Sequence, residues 1–289
     1  MQRSQRTDIP RRRLAFDFSV DGVPPDFFAE DEPQSLVVAA LSLVFPEGER
    51  FFVESVLAFR DELSEPELLE QISAFAAQEG MHSKAHLAFN AVLAERNPKA
   101  FALLEARVKR LLRRGGRLHG RAGRLAVTCA LEHFTAILAE SLLSDECLQA
   151  LFHPSVRDLW LWHALEESEH KSVAFDVYET VDGSYLRRVA VMATTTLFFI
   201  GFIAHGHVHL MRERGRGRDL RGFARTFFRA FVAPGYFGRL LPAYLHYYLP
   251  SFHPEKRPSA TLVRTIRERL FGAEGTLVGQ LVSERREAA

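Results

Sequence analysis

Residues 160–171 read WLWHALEESEHK, and within them His163, Glu167 and His170 are spaced four and three residues apart. Residues at i, i+4 and i+7 share one face of an α-helix. Two imidazoles and a carboxylate therefore project together from a stripe whose other members, Val156, Leu159, Ala174 and Val177, are apolar. Burying such groups costs on the order of several kcal/mol unless they are paired, hydrogen-bonded or bound to metal. A shorter copy of the signal, Glu79-Gly80-Met81-His82, lies upstream. Two Glu-x-x-His helices, each partnered by a helix donating one more Glu, are how a four-helix bundle holds two metal ions. The pattern predicts an all-α fold with a metal-binding bundle over residues 36–182. It places an N-terminal arm over 1–35 and further helices over 183–289.

The lone carboxylates follow from the same periodicity. A first core helix is expected to open near Pro46, with Glu49 the one carboxylate on a stripe of Phe52, Val56, Phe59 and Leu63. Glu54 lies on a more polar side and ranks behind it, as an outer residue. The second helix is expected to start with a capping box at Ser64-Glu65-Pro66-Glu67 and to run to about residue 96. Its stripe is Ile72, Phe75, Glu79, His82, His86, Phe89 and Leu93. The third, over about 121–143, carries Leu125, Cys129, Glu132, Ala136, Glu140 and Leu143. The fourth runs from Pro154 to about residue 180. Thirty residues separate Glu49 from Glu79, and thirty-five separate Glu132 from Glu167. Each gap is a helix, a turn and part of a helix, which brings an antiparallel neighbour back to the same level.

Four carboxylates with two or three imidazoles neutralise two divalent ions, and mixed nitrogen and oxygen donors suit iron, with manganese or zinc as alternatives. The expected ligands are Glu49, Glu79, His82, Glu132, His163, Glu167 and His170. His86, Glu54 and Glu140 are expected behind them. Glu166 and His133 are candidate proton relays; Glu166 and Glu169 flank the stripe, facing solvent or the outer layer. Phe52, Phe59, Phe75, Phe89 and Phe134 are expected to line a dry cavity.

The remaining chain is less specific. Net charge over 289 residues is only +1, which gives no sign of a nucleic-acid partner. Two cysteines, Cys129 and Cys147, fit a reducing compartment, and the basic N-terminus lacks the apolar core of a signal peptide, so a cytoplasmic setting is expected. Residues 107–124 read as a basic connection broken at Gly115-Gly116, a solvated arginine face in preference to an anion site. Residues 189–211 are uncharged and long enough to cross a bilayer; a buried fifth helix is the favoured reading. Basic and aromatic residues across 186–250 would suit peripheral contact with an anionic membrane. No glycine-rich phosphate loop, G-x-S-x-G elbow or His-Glu-x-x-His motif is present.

The strings FPEGERFF, QEGMHSKAHLAFN, ALEHFTA, WHALEESEHKSVAFDVY and SFHP extend the resemblance over about residues 10–255. They resemble the predicted metal-dependent hydrolases, a family whose likeness implies a ferritin-like bundle and metal-assisted hydrolysis. The pattern His163-x-x-x-Glu167-x-x-His170 is also similar to that of three-histidine di-iron N-oxygenases, in the ligands alone. The leading expectation from the chemistry is an O₂-activating di-iron enzyme with a small-molecule substrate and an electron donor. The alternatives are a hydrolase working through a metal-activated water and a non-catalytic iron-binding protein, which would lack a pocket beside the metals.

Overall fold

The computed structural model describes residues 9–233 and 235–282, with residues 116–119 described through their backbone alone. Parts of the expected arm and tail, residues 1–8 and 283–289, lie outside the described residues. Among those described there are ten α-helices and no strand; two isolated bridge pairs, Leu14–Leu281 and Phe28–Phe152, tie the arm down.

Helix α1 spans Glu32–Leu57, starting fourteen residues before the expected site at Pro46. Asp31 caps it by accepting the Gln34 N–H, and Pro33 occupies the first turn. The apolar run around Leu36, Ala39, Ala40 and Leu43 carries the helix through Pro46, which lies in its interior. Helix α2, Pro66–Arg96, opens with Pro66 in its first turn, and no side chain caps it, so the expected capping box does not form.

Helix α3, Pro98–Ser144, covers the expected basic connection with helical backbone on both sides of one kink. The break falls not at Gly115-Gly116 but at Gly120, whose φ of 65° and ψ of −173° no right-handed helix can hold. The chain doubles back there. Lys109 pairs with Glu47 at 3.5 Å and Arg121 with Glu62 at 2.7 Å, whereas Thr128 has returned to Ser55 at 2.6 Å.

Helix α4 is the short Glu146–Ala150. The expected fourth helix is split into α5, Pro154–His170, and α6, Val173–Val181, at Lys171-Ser172. The Lys171 ammonium is drawn to Glu140 Oε1 (3.1 Å), the Arg257 carbonyl (2.9 Å) and Ser259 Oγ (2.7 Å). Helices α7 (Tyr185–Glu213), α8 (Leu220–Phe231), α9 (Leu241–His246) and α10 (Ala260–Phe271) lie around the bundle.

Two apolar clusters organise the interior. One gathers Leu36–Leu43 of α1, Ala85–Leu93 of α2, Ala139–Leu143 of α3 and Val156–Leu165 of α5, under the arm residues Phe27 and Phe28. The other gathers Phe51–Val56, Leu68–Phe75, Leu125–Ala130 and Val173–Tyr178. The order of these segments makes α1 antiparallel to α2 and the second arm of α3 antiparallel to α5–α6. Between the clusters, on all four helices, lies a layer of buried carboxylates and imidazoles. Apolar burial on both sides, at roughly 25 cal/mol per Å², fixes four charged positions at one level.

The expected buried fifth helix is a correction. Only 22% of the most apolar stretch of α7 is buried; Leu197, Phe198 and Ile200 face outward. By length and composition α7 and Gly120–Ser144 are each able to span a bilayer, but the latter is mostly core.

Candidate metal centre

The layer contains Glu49 from α1, Glu79 and His82 from α2, Glu132 from α3, and His163, Glu167 and His170 from α5, all nearly or fully buried. They fall into two groups that could each hold a metal ion: Glu49, His82 and His163, and Glu79, Glu167 and His170. Within each group the candidate donor atoms lie within 4.8 Å of one another.

The hydrogen bonds behind the layer fix which atoms face inward. Pro46 has no N–H for the Ser42 carbonyl four residues before it; Asn90 Nδ2 donates to that carbonyl instead, at 3.0 Å. This orients the Asn90 amide so that Oδ1 takes the Ser42 hydroxyl proton at 2.6 Å. Ser42 Oγ then accepts from His86 Nδ1 at 2.8 Å. His86 is kept neutral, its pKa pushed well down by burial and then by His163. Its Nε2 accordingly accepts from His163 Nδ1 at 2.7 Å. The lone pair of His163 Nε2 is thereby turned toward Glu167 Oε1 (3.0 Å) and Glu49 Oε1 (3.7 Å).

The other two imidazoles are set the same way. His82 Nε2 donates to Glu166 Oε2 at 3.0 Å, leaving Nδ1 facing Glu167 Oε1 (3.6 Å) and Glu79 Oε1 (3.8 Å). Gln78 Nε2 donates to the Pro10 carbonyl (2.9 Å) and to Glu169 Oε2 (3.1 Å), so its Oε1 accepts from His170 Nδ1 at 2.8 Å. His170 Nε2 then points at Glu79 Oε1 (3.1 Å), with Glu132 Oε2 and Glu167 Oε1 each at 3.7 Å. Imidazoles held from behind by an acceptor, with the other nitrogen turned toward carboxylates, are the arrangement a metal ion requires.

Orphaned atoms support the fit. Glu49 Oε1, both oxygens of Glu79 and of Glu132, Glu167 Oε2, His82 Nδ1 and His170 Nε2 are buried with no hydrogen-bond partner among the described residues. Burial, reinforced by neighbouring carboxylates, pushes Glu49 and Glu132 well above the usual carboxylate range. Burial would also raise Glu167, but the positive charge of His170 outweighs it and holds the carboxylate well below the usual range. At His170, Glu167 and Glu79 outweigh the lowering by burial, so that without a cation Nε2 holds a proton. Two divalent ions would displace these protons and balance four carboxylates.

The structure separates the outer residues. His86 lies behind His163, its Nε2 2.7 Å from His163 Nδ1. Glu54 is 57% exposed and paired with Arg124, because five residues from Glu49 turn it about 140° round the helix. Glu140 is two turns, about 12 Å, beyond Glu132 and is engaged by Lys171 and by Arg257 (2.8 Å). His133 turns to α9: its Nε2 donates to the Ala243 carbonyl at 3.1 Å, and burial lowers its pKa to about 3. A proton relay at the layer is not where this ring points. Glu166 and Glu169 are buried and do not reach solvent.

Sequence reasoning missed Arg12. Its guanidinium binds Glu166 Oε1 at 2.8 Å and grips both oxygens of Glu169 at 2.7 and 2.8 Å. It thus anchors Glu166, the acceptor behind His82, and Glu169, which holds the Gln78 amide behind His170. It lies in an Arg run of the arm, which carried no periodic signal. Gln78, Asn90, Ser42 and Ser83, whose hydroxyl donates to Glu49 Oε2 at 2.8 Å, were missed for the same reason.

The cavity beside the layer also differs from expectation. The five phenylalanines do not form it. A cavity of about 130 Å³ is walled by Val38, Leu41, Phe45, Leu138, Leu142 and Trp160, with His163 and Glu167 also in its lining. Thr226 and Ala230 of α8, with Tyr236 and Phe237, also line it.

A family model described as predicted metal-dependent hydrolase matches residues 10–257. No curated protein and no solved structure matches significantly.

Proposed function

Because the chain belongs to the predicted metal-dependent hydrolases, we propose that it hydrolyses an ester or amide bond in a small molecule with an apolar chain, using two metal ions. The observation that carries this reading is the apolar cavity that has His163 and Glu167, two members of the buried carboxylate and imidazole layer, in its lining. A cavity of that kind separates an enzyme from a metal store.

Glu49, Glu79, Glu132 and Glu167 with His82, His163 and His170 would hold the ions. When bound, such a pair supplies a water of lowered pKa and polarises the oxygen of the bond under attack. The chain does the rest. The cavity wall binds the apolar part of the substrate and directs its polar end to the layer. The Phe45 ring, 4.6 Å from that of His163 and 4.7 Å from that of His86, excludes bulk water there. Glu166 holds the proton on His82 Nε2 and acts through that imidazole, not on the substrate.

A second reading, dioxygen activation on two irons, is favoured by the donor set, since four carboxylates and three imidazoles suit iron or manganese. One experiment divides the two. Protein loaded with manganese, zinc or iron(II) is given p-nitrophenyl esters of graded acyl length under nitrogen. Hydrolysis that proceeds without oxygen, improves with acyl length and is lost in Glu132→Ala supports the first reading. Inertness under nitrogen, with oxygen consumed by the iron form in air, rejects hydrolysis in favour of the second.

A further inference from the structure

Helix α8 has two faces with different tasks. Gly222, Thr226 and Ala230, four residues apart, are buried against the body, and Thr226 and Ala230 form part of the cavity wall. On the outer side Leu220, Phe227, Phe228 and Phe231 are 77%, 63%, 51% and 45% exposed. Arg221, Arg225 and Arg229 run along one edge at the same four-residue spacing. Further large apolar side chains are exposed on α7, at Leu197, Phe198 and Ile200, and around α9, at Leu241, Leu245 and Leu249. Exposing so many large apolar side chains to water costs free energy, and apolar surface of this extent marks a face that is covered in use.

Charge identifies the cover. Residues 212–239 hold eight arginines and only two carboxylates; Arg214, Arg216, Arg225 and Arg239 pair with Glu32, Asp31 and Asp145 elsewhere in the chain, which leaves Arg212, Arg218, Arg221 and Arg229 without a carboxylate partner among the described residues. A short helix with phenylalanine and leucine on one face and arginine along its edge is suited to lie in the headgroup layer of an anionic bilayer. A second copy of the same chain would instead set arginine against arginine. A spanning α7 would have to leave the bundle, where its Val191, Met192, Leu210 and Met211 are buried.

We propose that the outer faces of α7, α8 and α9 dock this protein peripherally on an anionic phospholipid surface, and that α8, as the shared wall, lets an acyl-chain substrate pass from the bilayer into the cavity. The docking stands on the surface alone; the substrate route rests on the proposed hydrolysis.

The test is co-sedimentation of the full chain with vesicles of phosphatidylcholine alone and with about a third phosphatidylglycerol. Binding to the anionic vesicles, reduced at least tenfold by high salt, by Arg221→Glu/Arg229→Glu and by Phe227→Ser/Phe228→Ser, is the expected result. The variants' helical circular dichroism should match that of the parent, because none of these side chains is buried. No vesicle binding, a dimer in light scattering that the phenylalanine variant dissolves, or binding that survives alkaline carbonate would each overturn peripheral docking. Ester hydrolysis in detergent is measured in parallel. Hydrolysis without docking rejects this inference alone, and docking without hydrolysis rejects only the substrate route and the proposed function.

Discussion

Asn90 Nδ2 lies 3.0 Å from the Ser42 carbonyl, the one that Pro46 leaves without a helical donor. A helix irregularity is thus the start of the chain of hydrogen bonds that sets the tautomer of His163. Replacing Asn90 by Ala should leave the carbonyl and the Ser42 hydroxyl short of partners, at a cost of about 1–3 kcal/mol. It should also weaken metal binding by roughly tenfold or more. Adding Pro46→Ala restores a backbone N–H to the carbonyl. Denaturant titration should therefore show part of the lost stability recovered in the double variant, while metal affinity stays low.

Arg12 holds both Glu166 and Glu169, and it shares Glu169 with Arg267, whose Nε lies 2.9 Å from Oε1. Arg12→Met should take from the buried Glu166 the opposite charge beside it and destabilise the fold by about 3–5 kcal/mol. Arg12→Lys keeps the charge but not the two-pronged grip, and should fall between. Urea unfolding together with metal titration measures both effects; a fully stable Arg12→Met with unchanged metal affinity contradicts an anchoring role for this guanidinium.

Metal content divides inner from outer residues. Glu132→Ala and His170→Ala should each lower the metal bound per chain, and Glu54→Ala should not, since Glu54 faces solvent beside Arg124. Chelation should lower the melting temperature of the parent protein, because an ion bound only to the folded state stabilises it. Elemental analysis of the purified variants makes the comparison. Full occupancy in Glu132→Ala would remove Glu132 from the site.

Acid should destabilise the fold partly through His133. Its pKa falls from the ordinary 6.5 to about 3 on folding, burial being the larger cause. Between those values the unfolded chain holds the extra proton. Stability contributed by the neutral ring is complete above pH 6.5 and is lost as pH falls toward 3, by at most about 1.4 kcal/mol per pH unit. His133→Gln keeps a donor for the Ala243 carbonyl without a titrating ring. Its stability should decline less steeply over this range than that of the parent, as read by denaturation at several pH values.

The layer is legible in the chain because periodicity writes it there. Glu79, His82, Glu132, His163, Glu167 and His170 interrupt apolar stripes at helical spacing, and Glu49 does so alone. What lies behind them is not legible. Arg12 reaches Glu166 across 154 positions, and Ser42 reaches Asn90 across 48, by side-chain contacts that leave no period. Proline favours the first turn, so Pro46 reads as a helix start, but the apolar run before it outweighs one missing hydrogen bond, which Asn90 replaces. Composition suggests a break at Gly115-Gly116; the fold puts the reversal at Gly120, where the chain must turn to bring Thr128 back to Ser55.

The sequence by itself determined that four helices carry carboxylates and imidazoles on apolar faces, because helical geometry converts spacing into direction. Only the tertiary structure decided which nitrogen of each histidine faces inward, which residues line the cavity and which face of α7 and α8 is left bare. Those depend on contacts between segments far apart in the chain, where shape and hydrogen-bond direction, not period, choose the partner.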